Sequence, residues 1–472
     1  MKRIVVIGGG VTGLAAAHRL VELRRERGLD LQVQLLEAGP RLGGVIGTEL
    51  RGEFVLEQGP DSIITDKPWG VALARRIGLE GELVGTNDEH RRSFVVRGGQ
   101  LVPVPEGFQL LAPSRFAPLA ASPIFSWGGK ARMALDLVIP PRRDDADESL
   151  GGFVLRRLGR EALDRMAQPM IAGIYGADPM ELSLRATLPR FLDMEREHGS
   201  VIRGMWARMR QAQARTSAGN GEKSGVSGAR YGLFASFRRG MQTLTDALAA
   251  RLPEGAARLE KPVRALERDG SGWRVVLEGE EIAADGVVVA LPAYRAADLV
   301  APHEAELAVV LRSVPYASAA TLSLCYRRED VPHPLDGFGF VVPKLEGLTL
   351  HGCTFTNVKY PHRAPAGVAL LRAFLGEGAL QGRGREEVEA RVRADLRKLL
   401  GITAEPQFTV FWRGEQVMPQ YRVGHLERVG EIERRVEALP GLRLAGNAYR
   451  GVGIPDCIHS AETAVEGLLA AG

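Results

Sequence analysis

The chain has 472 residues, 45% hydrophobic and 25% charged, with 57 glycines and a formal net charge of +4. That length exceeds what one simple core organises, so two or three domains are expected in an ordinary globular protein. Basic residues are nowhere interleaved with aromatics as in a nucleic-acid groove, and no stretch reaches the roughly eighteen apolar residues of a membrane span. Cys325, Cys353 and Cys457 stand too far apart for a disulfide framework, a zinc knuckle or a dithiol site. No metal cluster is apparent. The opening MKRIVVIGGG is too short in apolar residues for a secretory signal, so a cytoplasmic protein, peripheral on a membrane at most, is expected.

Arg3 to Ile7 reads as a buried parallel strand without polar alternation. It runs into Gly8-Gly9-Gly10-Val11-Thr12-Gly13, with G-x-G-x-x-G spacing. A helix follows, with Leu14, Ala17 and Leu20 on one face and Gly28 as its stop. Residues 31–37 read as a second strand ending in Glu37. Gly8 permits the tight turn, Gly10 lets the backbone approach a pyrophosphate, and Gly13 lets helix and strand pack closely. The helix N-terminus offers free N–H groups to phosphate, and Glu37 lies where it can accept hydrogen bonds from an adenosine ribose. These parts, in this order, favour a dinucleotide over a ligand-free glycine turn.

Next comes Ala38-Gly39-Pro40-Arg41-Leu42-Gly43-Gly44-Val45. The paired glycines allow a second backbone approach to the ligand. Arg41 can reach phosphate or ribityl oxygens, its alternative being a surface charge.

Residues 101–141 mix prolines with Phe108, Leu110, Leu111, Phe116, Leu119, Ile124, Phe125 and Trp127, while Arg115, Lys130, Arg132, Arg142 and Arg143 stand among or just after them. Either an internally packed lobe or a patch resting on anionic lipid is expected there. Residues 211–230 have linker composition and are expected to form a mobile connection. Residues 261–293 read as a meander with a hairpin at Asp269-Gly270, ending in the buried strand VVVALP. Gly376-Glu377-Gly378 is followed by a glycine too late for a second nucleotide fingerprint. That weighs against a reductase fed by NAD(P)H and for an oxidase that passes electrons to oxygen or another acceptor.

At the C-terminal end, LRLAGNAYRGVGIPDC reads as strand, glycine-rich loop and helix. Pro455 suits the first turn of that helix, and Ile458, Ala461, Val465 and Leu468 form its buried face. The loop from Gly446 to Gly453 aims a second helix N-terminus at an anionic or electron-rich group; the alternative is a helix that only covers the sheet.

An acid followed by R-x-G-G resembles FAD-containing amine-oxidase-like enzymes. EQGPDS (57–62), DESLGGFVLRRLG (147–159), AGIYGADPMELSLRATLPRF (172–191), MEREHGS (194–200), DGFGFVVP (336–343), MPQYRVGH (418–425) and GVGIPDCI resemble the protoporphyrinogen and coproporphyrinogen oxidases of that superfamily. The resemblance runs along nearly the whole chain. GCTFTNVKYPHRAPAG, with LLRAFLG after it, is most similar to the Gram-positive type that acts on coproporphyrinogen III.

The resemblance implies an α/β plus α+β fold. A Rossmann-like FAD domain would be built from residues 1–66, 225–298 and 413–472. A mixed-sheet substrate domain would comprise 67–90 and 299–412, and a helical lobe over the substrate cavity would comprise 91–210. It also implies dehydrogenation of a porphyrinogen in three two-electron steps, with FAD reoxidised by O2 to give H2O2, in a monomer or homodimer.

Its implied flavin contacts are Gly59, Pro60, Asp61, Ser62, Val263 at the adenine, Trp412, Ile454, Pro455 and Asp456. Phe338 and Gly339 would lie over the tetrapyrrole, with Met170, Ile174 and Val341 as apolar walls. Lys67, Arg91 and Arg92 are candidates for the substrate carboxylates, although Ser93 stands near the place of the family's carboxylate-binding arginine. Protoporphyrinogen IX is the alternative substrate. An amine oxidase or carotenoid-desaturase relative and a non-catalytic flavin scaffold are the other readings. For His425, a structural hydrogen bond is favoured over proton transfer.

Overall fold

The structure is a computed structural model and describes residues 1–217 and 233–470. A parallel five-stranded sheet runs in the order Ala257–Arg258, Leu31–Leu36, Lys2–Ile7, Gly286–Val289 and Leu442–Leu444. Val5, Val6, Val287, Val288 and Val289 are fully buried because both faces of this sheet are covered. The helices Val11–Glu26 and Ile454–Ala470 cover one face through Leu14, Leu20, Ile458 and Val465. The opposite face is covered by the antiparallel meander Ala265–Asp269, Gly272–Val276 and Glu281–Ala284, and by the helices Ala293–Val300, Ala305–Arg312 and His425–Glu437. Strands from both ends of the chain thus share one sheet, which brings two glycine-rich strand-to-helix turns to the same edge.

A second, seven-stranded sheet has the order Phe408–Pro419, Tyr316–Arg327, Val368–Gly376, Gly352–Phe355, Gly339–Val341, Phe94–Arg97 and Gln100–Pro103. It is antiparallel except where Gly339–Val341 pairs with Phe94–Arg97. The helix Arg385–Leu400 packs Val388, Val392 and Leu396 against it. Helices between Phe116 and Ser217 gather around Phe153, Met166, Ile171 and Phe191 as a lobe with its own core. Inside the lobe, Arg157 donates to Asp136 at 2.5 Å with both side chains fully buried.

Packing moves the expected domain boundaries. The amphipathic helix Trp69–Arg76 buries Val71, Leu73 and Ala74 in the core of the parallel sheet, so residues 67–90 do not stand with the substrate sheet as a unit. Strands Phe94–Arg97 and Gln100–Pro103 complete the seven-stranded sheet, so the lobe does not begin at 91. Helix Ala305–Arg312 packs on the parallel sheet, and the strand that crosses residue 413 runs unbroken to Pro419. In each case packing or strand pairing runs across the boundary that the resemblance implied. Of the expected linker, residues 211–217 are the end of the helix Val201–Ser217; residues 218–230 lie outside the described residues.

Of the eight hydrophobes singled out in 101–141, Phe108, Leu111, Leu119, Ile124 and Phe125 are buried in the lobe core. The Arg132 guanidinium caps carbonyls of Leu155, Arg156 and Arg157. Among the described residues, no helix is long and apolar enough to cross a membrane.

Candidate active site

The first helix starts so close to its strand that a Cβ on Gly13 would stand 1.8 Å from the Gly8 carbonyl oxygen. Only glycine fits there. The Glu37 carboxylate faces the same turn, accepting from Gly9 N at 2.6 Å and from Gly39 N at 2.7 Å. Gly43 N donates to Gly9 O at 2.8 Å, laying the 41–45 turn along the first, with Gly44 against Gly10. Gly59 in turn touches the Val45 carbonyl, so the segment Gly59–Ser62 follows the same edge. Lys261 N donates to Glu37 O at 2.8 Å, which brings the chain near Val263 beside the acid that ends the second strand.

The C-terminal turn arrives from the other side. The Thr12 side chain lies beside the Cys457 thiol where the starts of the first and last long helices meet. Around Gly446, whose φ is +140°, there is open space: no atom would lie within 4 Å of an added Cβ. Two helix N-termini, a glycine cradle that side chains would fill and a carboxylate at the end of the second strand fit an elongated ligand with a pyrophosphate in its middle.

Two expectations change. The Arg41 guanidinium donates to the carbonyls of Leu42 (3.1 Å), Gly44 (2.6 Å) and Ile46 (2.8 Å). It staples the glycine turn from within, because a short loop with outward carbonyls offers a fork-shaped donor three acceptors. Lys67 is not a free cation. Its ammonium lies 2.6 and 2.8 Å from the two Asp456 oxygens at the start of the last helix.

The Arg91 guanidinium pairs with Asp88, and that of Arg92 with Asp336. Arg92 also receives a hydrogen bond from Phe338 N at its carbonyl, 2.8 Å. It thereby braces the Phe338-Gly339 turn and is itself half-exposed.

That turn closes on the strand Gly352–Phe355. Gly339 has φ +138°, and a Cβ would meet Cys353 O at 2.0 Å. Phe338 is half-buried. Val341 faces the helix Gln168–Tyr175, approaching Gly173; Met170 is half-buried and Ile174 is 45% exposed on that helix. Trp412 is half-buried and pairs with Thr321, whose hydroxyl donates to Gln58 O at 2.9 Å, directly before Gly59.

Sequence reasoning missed a charged cluster beneath the Gly59–Ser62 segment. Lys359 Nζ lies 3.2 and 3.1 Å from the Asp61 oxygens, and Arg372, 2% exposed, donates to Gln58 O at 3.1 Å and to Gly59 O. Burial opposes ionisation of Asp61, yet Lys359 and Arg372 outweigh it and hold its carboxyl well below the usual range. Deeper still, Arg363 pairs with Glu57 at 2.8 Å, both essentially without exposure. The signal was present, since all of these lie in the quoted motifs EQGPDS, GCTFTNVKYPHRAPAG and LLRAFLG, but a motif does not say which cation meets which acid.

Residues 11–469 match the model of the flavin-containing amine oxidoreductases. The chain belongs to this family. It is an FAD-dependent oxidoreductase with an amine-oxidase-type α/β fold. It is 34% identical to the coproporphyrinogen III oxidase of Bacillus subtilis strain 168, over 99% of this chain and 98% of that one. With the coproporphyrinogen III oxidase of Propionibacterium freudenreichii it shares 35% identity over 99% and 92% of the two chains. A crystal structure of an Exiguobacterium sp. 255-15 protein, provisionally named a protoporphyrinogen oxidase, superposes with a TM-score of 0.86 at 31% identity, covering 100% of this chain and 99% of that one.

Proposed function

We propose that this protein dehydrogenates coproporphyrinogen III to coproporphyrin III, in haem biosynthesis, with O2 taking the electrons and leaving as H2O2. Its full-length likeness, at 34% and 35% identity, to two enzymes named for that reaction supports the reading most directly. The bound FAD supplies the two-electron acceptor. Gly8, Gly9, Gly10, Val11, Thr12, Gly13, Glu37, Ala38, Gly43, Gly44 and Val45 hold its adenosine and pyrophosphate part, with Val263 at the adenine. The flavin end lies against Gly59, Pro60, Asp61, Ser62, Trp412, Gly446, Gly453, Ile454, Pro455 and Asp456. Arg41 acts on the cofactor through the loop it staples.

A porphyrinogen is a flat, activated hydride donor, so the protein needs no strong nucleophile. It has to orient the ring and exclude water. Phe338 presents an apolar face, Met170, Ile174 and Val341 line the sides, and the Gly339 carbonyl accepts from the pyrrole N–H groups. Lys67, held by Asp456, serves the flavin end of the site; Arg91 and Arg92 stand at the rim where substrate carboxylates arrive. The protein works in the cytoplasm. Exposed Trp127 and Val138, at 75% and 74%, supply its contact with a membrane surface.

Protoporphyrinogen IX is the second reading, favoured by the similarity to the Exiguobacterium structure. The two substrates differ in carboxylate number, four against two. Parallel assays of both porphyrinogens by the growth of porphyrin fluorescence, with H2O2 measured alongside, separate the readings. Faster turnover of coproporphyrinogen III supports the first, and equal or reversed rates overturn it.

A further inference from the structure

The stretch Met418 to His425 carries no group that the oxidation itself needs, yet it is tied on three sides. The Gln420 amide donates to Tyr175 O at 3.0 Å, the last carbonyl of the helix that carries Met170 and Ile174. Ser183 N donates to Tyr421 O at 2.8 Å, and Gly424 N donates to Asp147 Oδ2 at 2.9 Å, while Asp147 Oδ1 accepts from the Ser183 hydroxyl at 2.9 Å. Those bonds bind the stretch to the helical lobe. On its third side, the Tyr421 hydroxyl donates to Asn447 O at 2.6 Å and accepts from Gly451 N at 2.8 Å. His425 stacks on the Tyr421 ring, centroids 3.8 Å apart and planes at 13°, and its Nε2 meets Tyr449 O at 2.8 Å.

Tyr421 is 2% exposed and His425 not at all. Burial lifts the Tyr421 hydroxyl well above its usual range, so it keeps the proton it donates. Burial likewise pushes His425 down to about 4, so its ring is neutral and Nε2–H is the donor to Tyr449. A rigid phenol that donates to one backbone group and accepts from another four residues along fixes the turn between them. Without it, a largely buried N–H and C=O would lose their partner.

We propose that Tyr421 is a positioning residue: its hydroxyl sets the Asn447–Gly451 turn, and its neighbour Gln420 ties the stretch that carries it to the helix bearing Met170 and Ile174. Flavin edge and substrate wall are thereby held at a fixed separation. The inference rests on the reading that the Gly446–Gly453 turn borders the flavin.

The test compares Tyr421→Phe, which keeps the stacked ring and removes both hydrogen bonds, with Gly446→Ala, which puts a methyl into the open space of the turn. Each is titrated with FAD, and its flavin absorption spectrum and midpoint potential are recorded. Expected are a Kd for FAD raised about tenfold in Tyr421→Phe, the effect of about 1.4 kcal/mol of lost hydrogen bonding, and an altered potential in both variants. If Gly446→Ala alone changes the flavin, the turn borders the cofactor but Tyr421 does not position it, and the proposal falls. If neither variant changes it, the reading of the turn falls too. A change in Tyr421→Phe alone would mean that its effect does not run through the turn, which also overturns the proposal. Hydrogen exchange of the unmodified holoprotein is an independent check that requires no variant to fold. The Gly451 amide, which donates to the Tyr421 hydroxyl, should exchange as slowly as core strands, and fast exchange there would contradict the proposal.

Discussion

Lys67 Nζ lies 2.6 Å from Asp456 Oδ1, across 389 positions of sequence, at the first turn of the C-terminal helix. Lys67 is 43% exposed and Asp456 only 10%, so the lysine neutralises a carboxylate that is itself largely withdrawn from water. Gly453 N, 3.3 Å from Asp456 Oδ2, adds a second tie between this acid and the glycine turn. The pair therefore controls charge at the place where the flavin end of the cofactor is proposed to rest.

Replacing Lys67 by Met leaves that carboxylate facing an anionic cofactor. FAD binding should weaken by roughly threefold to tenfold, a figure kept small because solvent screens a half-exposed partner. Lys67→Arg should restore most of it. Titration of the apoprotein by flavin fluorescence measures this, and an unchanged Kd in Lys67→Met would remove the pair from the site.

Two glycine replacements should fail in different ways. Gly13→Ala forces a methyl into the Gly8 carbonyl, and the backbone shift costs at least the roughly 1–3 kcal/mol of overpacking. Protein recovered from it should lack flavin and melt lower. Gly339→Ala collides with Cys353 O instead, far from the nucleotide turn, and should retain FAD while losing porphyrin formation. Flavin content and porphyrin fluorescence measured on both variants check the division.

Arg363→Met leaves Glu57 a buried acid without its paired cation, still held by the Thr48 hydroxyl at 2.7 Å and Met241 N at 2.9 Å, with an expected loss of about 3–5 kcal/mol. The double variant Glu57→Gln with Arg363→Met should recover part of that loss. Unfolding in urea followed by tryptophan fluorescence compares the unmodified protein, the single variants Glu57→Gln and Arg363→Met, and the double variant; additive losses would show that the two side chains do not act as a pair.

Acid should destabilise the fold in a defined window. His425 is neutral in the fold down to about pH 4, whereas an unfolded histidine binds its proton near 6.5. Between those values the unfolded chain holds more protons, so stability falls as pH falls through the window and is full above it. For a fully buried ring the effect reaches about 3 kcal/mol at most. The urea midpoint should therefore drop between pH 7 and pH 4.5, and His425→Gln should flatten the slope.

Much of the cofactor side was legible in the chain. Strand, G-x-G-x-x-G turn, helix and acid-ended strand depend on contacts within about forty residues, and the local pattern carries them. The C-terminal turn was legible for the same reason, as was the meander after Lys261. What the sequence hid were partnerships set by tertiary distance. Lys67 reads as a free cation until the fold brings Asp456 to it, and Arg41 reads as a phosphate ligand until the loop's own carbonyls surround it. Lys359, Arg363 and Arg372 are unremarkable in composition; only the crossing of residues 57–62 over the seven-stranded sheet gives them Asp61 and Glu57. At the expected limits 67, 91 and 413, an apolar helix face, a strand pairing and an unbroken strand respectively run across the boundary.

In the proposed reaction, the flavin held between the two ends of the chain takes electrons from a porphyrinogen. Coproporphyrinogen III added without oxygen to the FAD-loaded protein tests it directly. The yellow flavin should bleach as porphyrin fluorescence appears, and admitting air should restore the colour with release of H2O2. Flavin that stays yellow in the presence of excess porphyrinogen would contradict the proposed reaction.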